Sequence, residues 1–393
     1  MTLHLLSKKR LMTPGPTDVP PPVLLEMAQP VIHHRTEAFR EIFRDLSKKL
    51  QWLCRTEHPV LTITGSGTTA FEAAQCSLAT PDSRVLTVAG GKFGERWQDV
   101  YDAYAPAIGV TENIKIDLEW GQAPSPAQIE EVLDAHPDVS VVTVVHSETS
   151  TATACNIKAI AEVVQRTDAL LIVDGITSVG AMEVEMDEWG IDVLVTGSQK
   201  ALMMPPGLGF VALGPRALKR LESVGTGPSY NLDLRKWLKS WENGDTPFTA
   251  PVNLVRGQRV ALEMLQDQGL EAIWARVKRL ASATREALSD LGLRIASHSP
   301  SDSVTALGYP EGIDDAEFRA AVRDRHGVHL AGGQNGRNGQ WKGKIFRISH
   351  MGYVDAGDTL AALHAIETEL NRAGVHADPG SALAAAAKVM TSP

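Results

Sequence analysis

The sequence predicts an α/β protein, with a large, mainly parallel sheet covered by helices on both faces and a smaller C-terminal α+β unit. Three observations point to it. Short β-branched, apolar runs alternate with helical segments through the first half of the chain. Those runs are continuously apolar rather than alternating, as expected of strands buried on both faces. After about Gly214 the rhythm changes to a polar Gly/Pro/Trp stretch, a long helical stretch and a second, shorter set of strands and helices.

Residues 11–22 contain five prolines and are expected to form an extended arm. Apolar residues from Val23 to Leu53 recur at helical spacing. Val60–Thr64 is a short strand, followed by Gly-Ser-Gly and a helix from Thr68 to Leu78. Arg84–Ala89, Ser140–His146, Leu170–Asp174 and Asp192–Thr196 are further strands, with helices at Pro126–Ala135 and Ile157–Gln165 between some of them. A helical stretch runs from Asn253 towards Leu291, broken at Gly269. The last unit reads as a strand at Ser303–Leu307, a helix at Asp314–Asp324, a strand at Lys344–Ile348 and a helix at Ala356–Leu370. The Ala-rich tail from Ala373 is expected to fray. The expected division is an arm at 1–22, a large domain at 23–264, a small domain at 265–375 and a tail at 376–393.

At 393 residues the chain can bury a large core without disulfides or metals. The net charge of −9 comes from interleaved acids and bases, and no basic stripe suggests a nucleic-acid partner. Cys54, Cys76 and Cys155 are scattered, as expected of reduced thiols in a cytoplasmic protein. The start, MTLHLLSKKR, places its charges after its apolar stretch, the wrong order for a signal peptide. No apolar run approaches the roughly 18 residues of a membrane span.

Three segments carry the chemistry. Asp174 ends the apolar run Leu171-Ile172-Val173, where open α/β sheets place their ligands, although an acid there can simply cap a turn. Lys200 follows the run Val193–Thr196, 26 positions after that acid. A lysine at the end of a core strand either swings out to solvent or is used. Thr64-Gly65-Ser66-Gly67-Thr68-Thr69 joins a strand to a helix, where glycines and unpaired N–H groups can receive an anion or merely turn the chain. The order is informative, because pyridoxal phosphate (PLP) needs an anion site, a carboxylate for its ring nitrogen and a lysine for its aldehyde. Phe93, in Gly90-Gly91-Lys92-Phe93-Gly94, is a candidate platform for the ring.

These segments resemble class V aminotransferases, in the alanine–glyoxylate and serine–glyoxylate branch. The similarity spans about residues 11–370. It rests on GSQKALMMPPG (Gly197–Gly207), VDGITS (Val173–Ser178), PGPTDVPPPV (Pro14–Val23), HHRTEAF (His33–Phe39) and KIFRISHMG (Lys344–Gly352). The resemblance implies the two-domain PLP-dependent aminotransferase fold and a homodimer with shared active sites. It implies Lys200 as the Schiff-base lysine and Asp174 as the pyridinium partner. Ser66, Gly67, Thr68 and Gln199 would hold the phosphate, and Phe93 and Ile176 would contact the ring faces. Thr149 would lie near the phenolic oxygen, and Arg347 would grip the substrate carboxylate. Arg256 stands where many relatives have a tyrosine that reaches the neighbouring subunit's phosphate. It is expected to make that contact as an ion pair, the alternative being that it points to solvent or pairs with an acid of its own subunit.

The expected reaction is transamination from alanine, serine or aspartate to a 2-oxo acid, glyoxylate foremost. A cysteine desulfurase would need a cysteine after the lysine, and the last one here is Cys155. The alternatives are a lyase or phosphonate transaminase of the same fold, or a catalytically silent PLP-binding protein. His326, His329 and His350 show no metal-ligand spacing. His33 and His34 are as consistent with starting a helix as with shaping a pocket. The tryptophans are expected in core and interface, and the loop Gly332–Gly336 either closes over substrate or is a surface turn.

Overall fold

The structure is a computed structural model that describes residues 8–225 and 227–391. The apolar part of the N-terminal sequence lies outside the described residues. A seven-stranded sheet runs in the order Val60–Gly65, Gly207–Leu213, Val193–Gly197, Leu170–Asp174, Val139–Val145, Arg84–Ala89, Glu112–Asp117. All pairs are parallel except the two made by Gly207–Leu213, which is antiparallel to both neighbours.

The continuous apolar runs are continuous because both faces of the sheet are covered. In the strand Leu170–Asp174, Leu171 and Val173 point into one hydrophobic cluster while Leu170 and Ile172 point into another. Leu194 and its neighbours Val193 and Val195 divide the same way. Two strands of this sheet escaped the sequence reading. Glu112–Asp117 is a polar edge strand, and Gly207–Leu213 starts among prolines and glycines.

The helices begin where capping chemistry allows. Thr36 Oγ1 accepts from Phe39 N (3.4 Å) at the start of Glu37–Cys54, whose Phe39, Phe43, Leu46 and Leu50 are buried. The stretch expected as one helical region from Val23 is two helices, Pro21–Met27 and Glu37–Cys54. The turn between them holds His33, whose carbonyl accepts from Thr36 Oγ1.

The second unit is a four-stranded antiparallel sheet in the order Arg294–Ile295, Val304–Gly308, Ile345–Ser349, Ala331–Gly332. The helices Leu270–Asp290 and Ala356–Arg372 share its hydrophobic cluster. The break expected at Gly269 separates Leu270–Asp290 from Val252–Gln268. The tail is ordered where fraying was expected. Helix Ser381–Thr391 buries Ala382, Ala385 and Ala386 in that cluster. Glu367 satisfies the first N–H groups of the tail helix, accepting from Gly380 N, Ser381 Oγ and Ala382 N. Small side chains and a ready carboxylate cap make a docked helix of what composition alone reads as loose.

The arm ties the two units together. Arg10–Leu11 pairs in parallel with Val328–His329, Met12 O accepts from Ser349 N, and Thr17 N donates to Gln199 O. It therefore ends against the lysine segment of the large sheet.

Candidate active site

The candidate residues converge at the C-terminal ends of the parallel strands. Strand Val60–Gly65 delivers Ser66 and the helix Gly67–Leu78, whose cap is built by Thr69 Oγ1 accepting from Ser66 N (3.2 Å). Gly197 lets a second strand end approach this loop. A Cβ on residue 197 would lie 3.1 Å from Gln199 Oε1 and 3.2 Å from Gly67 N. Gln199 Oε1 is buried and has no hydrogen-bond partner among the described residues. A half-turn of that amide presents N–H instead, so the helix start and Gln199 form a donor-rich cradle that fits a phosphate.

Asp174 ends the central strand, 3% exposed. Its Oδ1 accepts from Ile176 N (2.8 Å) and its Oδ2 from Trp97 Nε1 (2.7 Å). Burial drives its titration up to about 7, opposed by those two donors. A cationic ring N–H would be the natural partner for such a carboxylate. Ile176 leans over Gly67, between the acid and the loop.

Lys200 follows strand Val193–Gly197, and its Nζ donates to Pro14 O (2.5 Å). Thr17 Oγ1 donates to Lys200 O (2.7 Å), so the arm covers the lysine. Gly15 permits this, because it sits at φ +125° and a Cβ there would overlap Nζ. Burial, helped by the charge of Arg347, lowers the amine's titration to about 8. Asp174 works in the opposite direction. An amine that loses its proton near neutral pH suits bonding to an aldehyde.

Arg347 comes from the small sheet, 5% exposed. Its Nη1 donates to Thr149 O (2.8 Å), and its Nε and Nη2 donate to Gly332 O (3.1 and 2.8 Å). Burial holds its titration down at about 10. Three of its five N–H donors are used, which leaves one on each terminal nitrogen for a carboxylate. Thr149 Oγ1 bonds Thr177 Oγ1 (3.1 Å), which in turn donates to Ser147 O.

Phe93 is half-buried at the start of helix Lys92–Ile108. Glu148, buried between Ser147 and Thr149, caps that helix by accepting from Phe93 N and Gly94 N (3.1 and 3.0 Å). Burial raises the Glu148 titration, with the Ser150 hydroxyl opposing.

Arg256 makes an ion pair within its own chain, the alternative weighed for it. Its Nε is 2.7 Å from Glu26 Oε1 of its own chain, so its charge is met within the subunit. Trp97 is a core residue, as expected of the tryptophans, and it also serves the site. Its ring stacks on Phe71 (3.7 Å, 11°) while its indole N–H holds Asp174. The loop after Gly332 is pinned rather than free. Arg337 bonds Asp99 and Gln98 of helix Lys92–Ile108, and Asn338 N donates to Glu95. Trp97 and Glu148 were missed because their partners lie far away in the chain. The only local sign was their nearness to Phe93 and Thr149.

A half-buried lysine and a buried aspartate at the ends of adjacent strands, beside a helix start suited to an anion, fit a PLP-dependent enzyme of the aminotransferase fold. The family description "Aminotransferase class-V" matches residues 11–358, and the chain belongs to that family. The chain is 41% identical to a protein of Synechococcus sp. named as a soluble hydrogenase small subunit, over 98% of this chain and 99% of that one. It is 34% identical to the serine–glyoxylate aminotransferase of Methylorubrum extorquens, over 98% and 96%. The crystal structure of pyridoxamine–pyruvate aminotransferase from Mesorhizobium loti superposes with a TM-score of 0.91 at 30% identity, covering 99% of this chain and 98% of that one.

Proposed function

We propose that the protein transfers the amino group of a small L-amino acid, among alanine, serine and aspartate, to a 2-oxo acid, glyoxylate foremost. The observation that carries this reading is the half-buried Lys200 after strand Val193–Gly197, beside the strand that ends in Asp174 and within the field of Arg347. The likeness to a serine–glyoxylate aminotransferase supports the choice of substrates.

When bound, PLP supplies a carbonyl that bonds amines and a protonated ring that accepts electron density from the substrate α-carbon. The chain's residues do the rest. Ser66, Gly67, Thr68 and Gln199 would hold the phosphate, Phe93 and Ile176 would confine the ring, and Thr149 would lie near its phenolic oxygen. Asp174 holds the proton on the ring nitrogen. Lys200 would hold the aldehyde through its amine and would carry the substrate α-proton, a role worth typically 10²–10⁴-fold or so. Arg347 orients the substrate carboxylate with its two remaining N–H groups.

The working unit we propose is a cytoplasmic homodimer. Leu24, Leu25 and Val31 stand 50%, 68% and 74% exposed around the end of the arm, an apolar surface suited to a second copy. The three cysteines are free and buried, which suits a reducing compartment.

A panel of amino donors assayed against glyoxylate and pyruvate tests the reaction. The reading expects one equivalent of new amino acid for each donor consumed, with alanine, serine or aspartate preferred. Release of ammonia, or carbon–carbon cleavage without transfer, would replace it by a lyase.

A further inference from the structure

Helix Lys92–Ile108 presents Phe93, Arg96 and Trp97 at spacings of three and four, which places them on one face. Phe93 and Trp97 already have roles at this site, as ring platform and as donor to Asp174. Arg96 lies between them. Its Nη1 is 3.4 Å from Thr68 Oγ1, in the first turn of the helix proposed to receive the phosphate. Its guanidinium carbon sits 4.8 Å from the centre of the Phe93 ring. No carboxylate among the described residues pairs with it, whereas Arg256 is paired with Glu26. Its charge also reaches the Lys200 amine, which it helps to keep low in its titration.

We propose that Arg96 binds the phosphate of PLP, supplying within one subunit the cation expected from Arg256 of the other. The inference rests on the reading of this site as a PLP site. A half-buried guanidinium with no acid of its own, held by a threonine at a helix start, is prepared for an anion with several oxygens. The phosphate carries nearly two negative charges, and a helix start meets only part of them. The face of Phe93 fixes the plane of the guanidinium by a cation–π contact, so little side-chain freedom is lost when the anion arrives.

The test compares PLP with pyridoxal, which lacks the phosphate, on cofactor-free wild type, Arg96→Ala and Arg96→Lys, with inorganic phosphate as a third probe. Dissociation constants come from absorbance or calorimetry at one salt concentration. The proposal predicts that Arg96→Ala weakens PLP and inorganic phosphate by about 10- to 100-fold, the effect of one charge-assisted contact. Pyridoxal affinity should change by less than about twofold, and Arg96→Lys should fall between. Equal losses for PLP and pyridoxal would overturn the proposal in favour of a packing role. Unchanged PLP affinity, with a raised KM for aspartate but not alanine, would overturn it by moving the guanidinium to the substrate. Should Arg96→Ala fail to fold, the Arg96→Lys comparison decides alone, and equal PLP affinity to wild type would again overturn it. Wild type that binds neither PLP nor pyridoxal would instead refute the PLP site itself.

Discussion

Lys200 and Asp174 are both pushed towards their uncharged forms by burial, and each leaves a signature in pH. A protonated amine cannot attack an aldehyde. The rate at which cofactor-free protein bonds PLP through Lys200 should therefore rise with pH through about 8 and level off above it. Stopped-flow absorbance measures this, and a midpoint near 10.5, the ordinary lysine value, would deny the burial effect. For Asp174 the folded titration point lies above the ordinary carboxylate range, so the folded chain holds this proton more tightly than the unfolded chain. Stability of the cofactor-free protein is then lost as pH rises from about 4 to about 7, at about 1.4 kcal/mol per pH unit. Asp174→Asn should unfold later than wild type at pH 8 and at the same temperature at pH 4. The same variant should retain PLP yet lose about 10²-fold or more in turnover, since an amide cannot stand as the anion beside a protonated ring. The places of these two residues were legible in the sequence because each needs only a strand end. Trp97 was not, because its bond to Asp174 joins positions 77 apart.

At the scale of elements, helix Lys92–Ile108 does more than the sequence suggested. Glu148 caps its start, Trp97 clamps Asp174, and the loop after Gly332 is fastened to its outer side. Trp97→Phe keeps an aromatic ring against Phe71 and removes only the indole donor. It should raise the Asp174 titration point further and lower kcat by roughly tenfold, in line with a hydrogen bond to a charged group. A pH profile of kcat reads both effects, and an unshifted profile would assign Trp97 to packing alone. The tail helix makes a separate prediction. Ala386 is fully buried, so Ala386→Asp places an unpaired carboxylate in the core of the small unit. Chemical denaturation should show a loss of about 3 kcal/mol or more. A loss below about 0.5 kcal/mol would mean that the tail is loose, as composition implied. Composition misled because an alanine run reads alike whether it packs or frays. The partner surface and the cap at Glu367 come from elsewhere in the chain.

For the molecule as a whole, the parallel core was legible because strands buried on both faces must be apolar at every position. Residues 193–195 and 170–173 meet that condition and stood out. The edge strand Glu112–Asp117 is polar because little covers it, and the antiparallel strand Gly207–Leu213 opens in the glycines that follow the lysine loop. The proposed dimer belongs to this scale too. Leu25→Lys changes a side chain 68% exposed in one subunit, so it should leave subunit stability nearly unchanged while shifting the mass in solution from twice 42.3 kDa towards 42.3 kDa. Wild type that sediments at 42.3 kDa at micromolar concentration would refute the shared site. The central claim, that this fold carries PLP on the lysine at the end of its core strand, is tested most directly by reducing the PLP-loaded protein with borohydride and mapping the modified peptide by mass spectrometry. The account predicts a pyridoxyl group on Lys200 and none in Lys200→Ala; a pyridoxyl group on another lysine, with Lys200 unmodified, would contradict it.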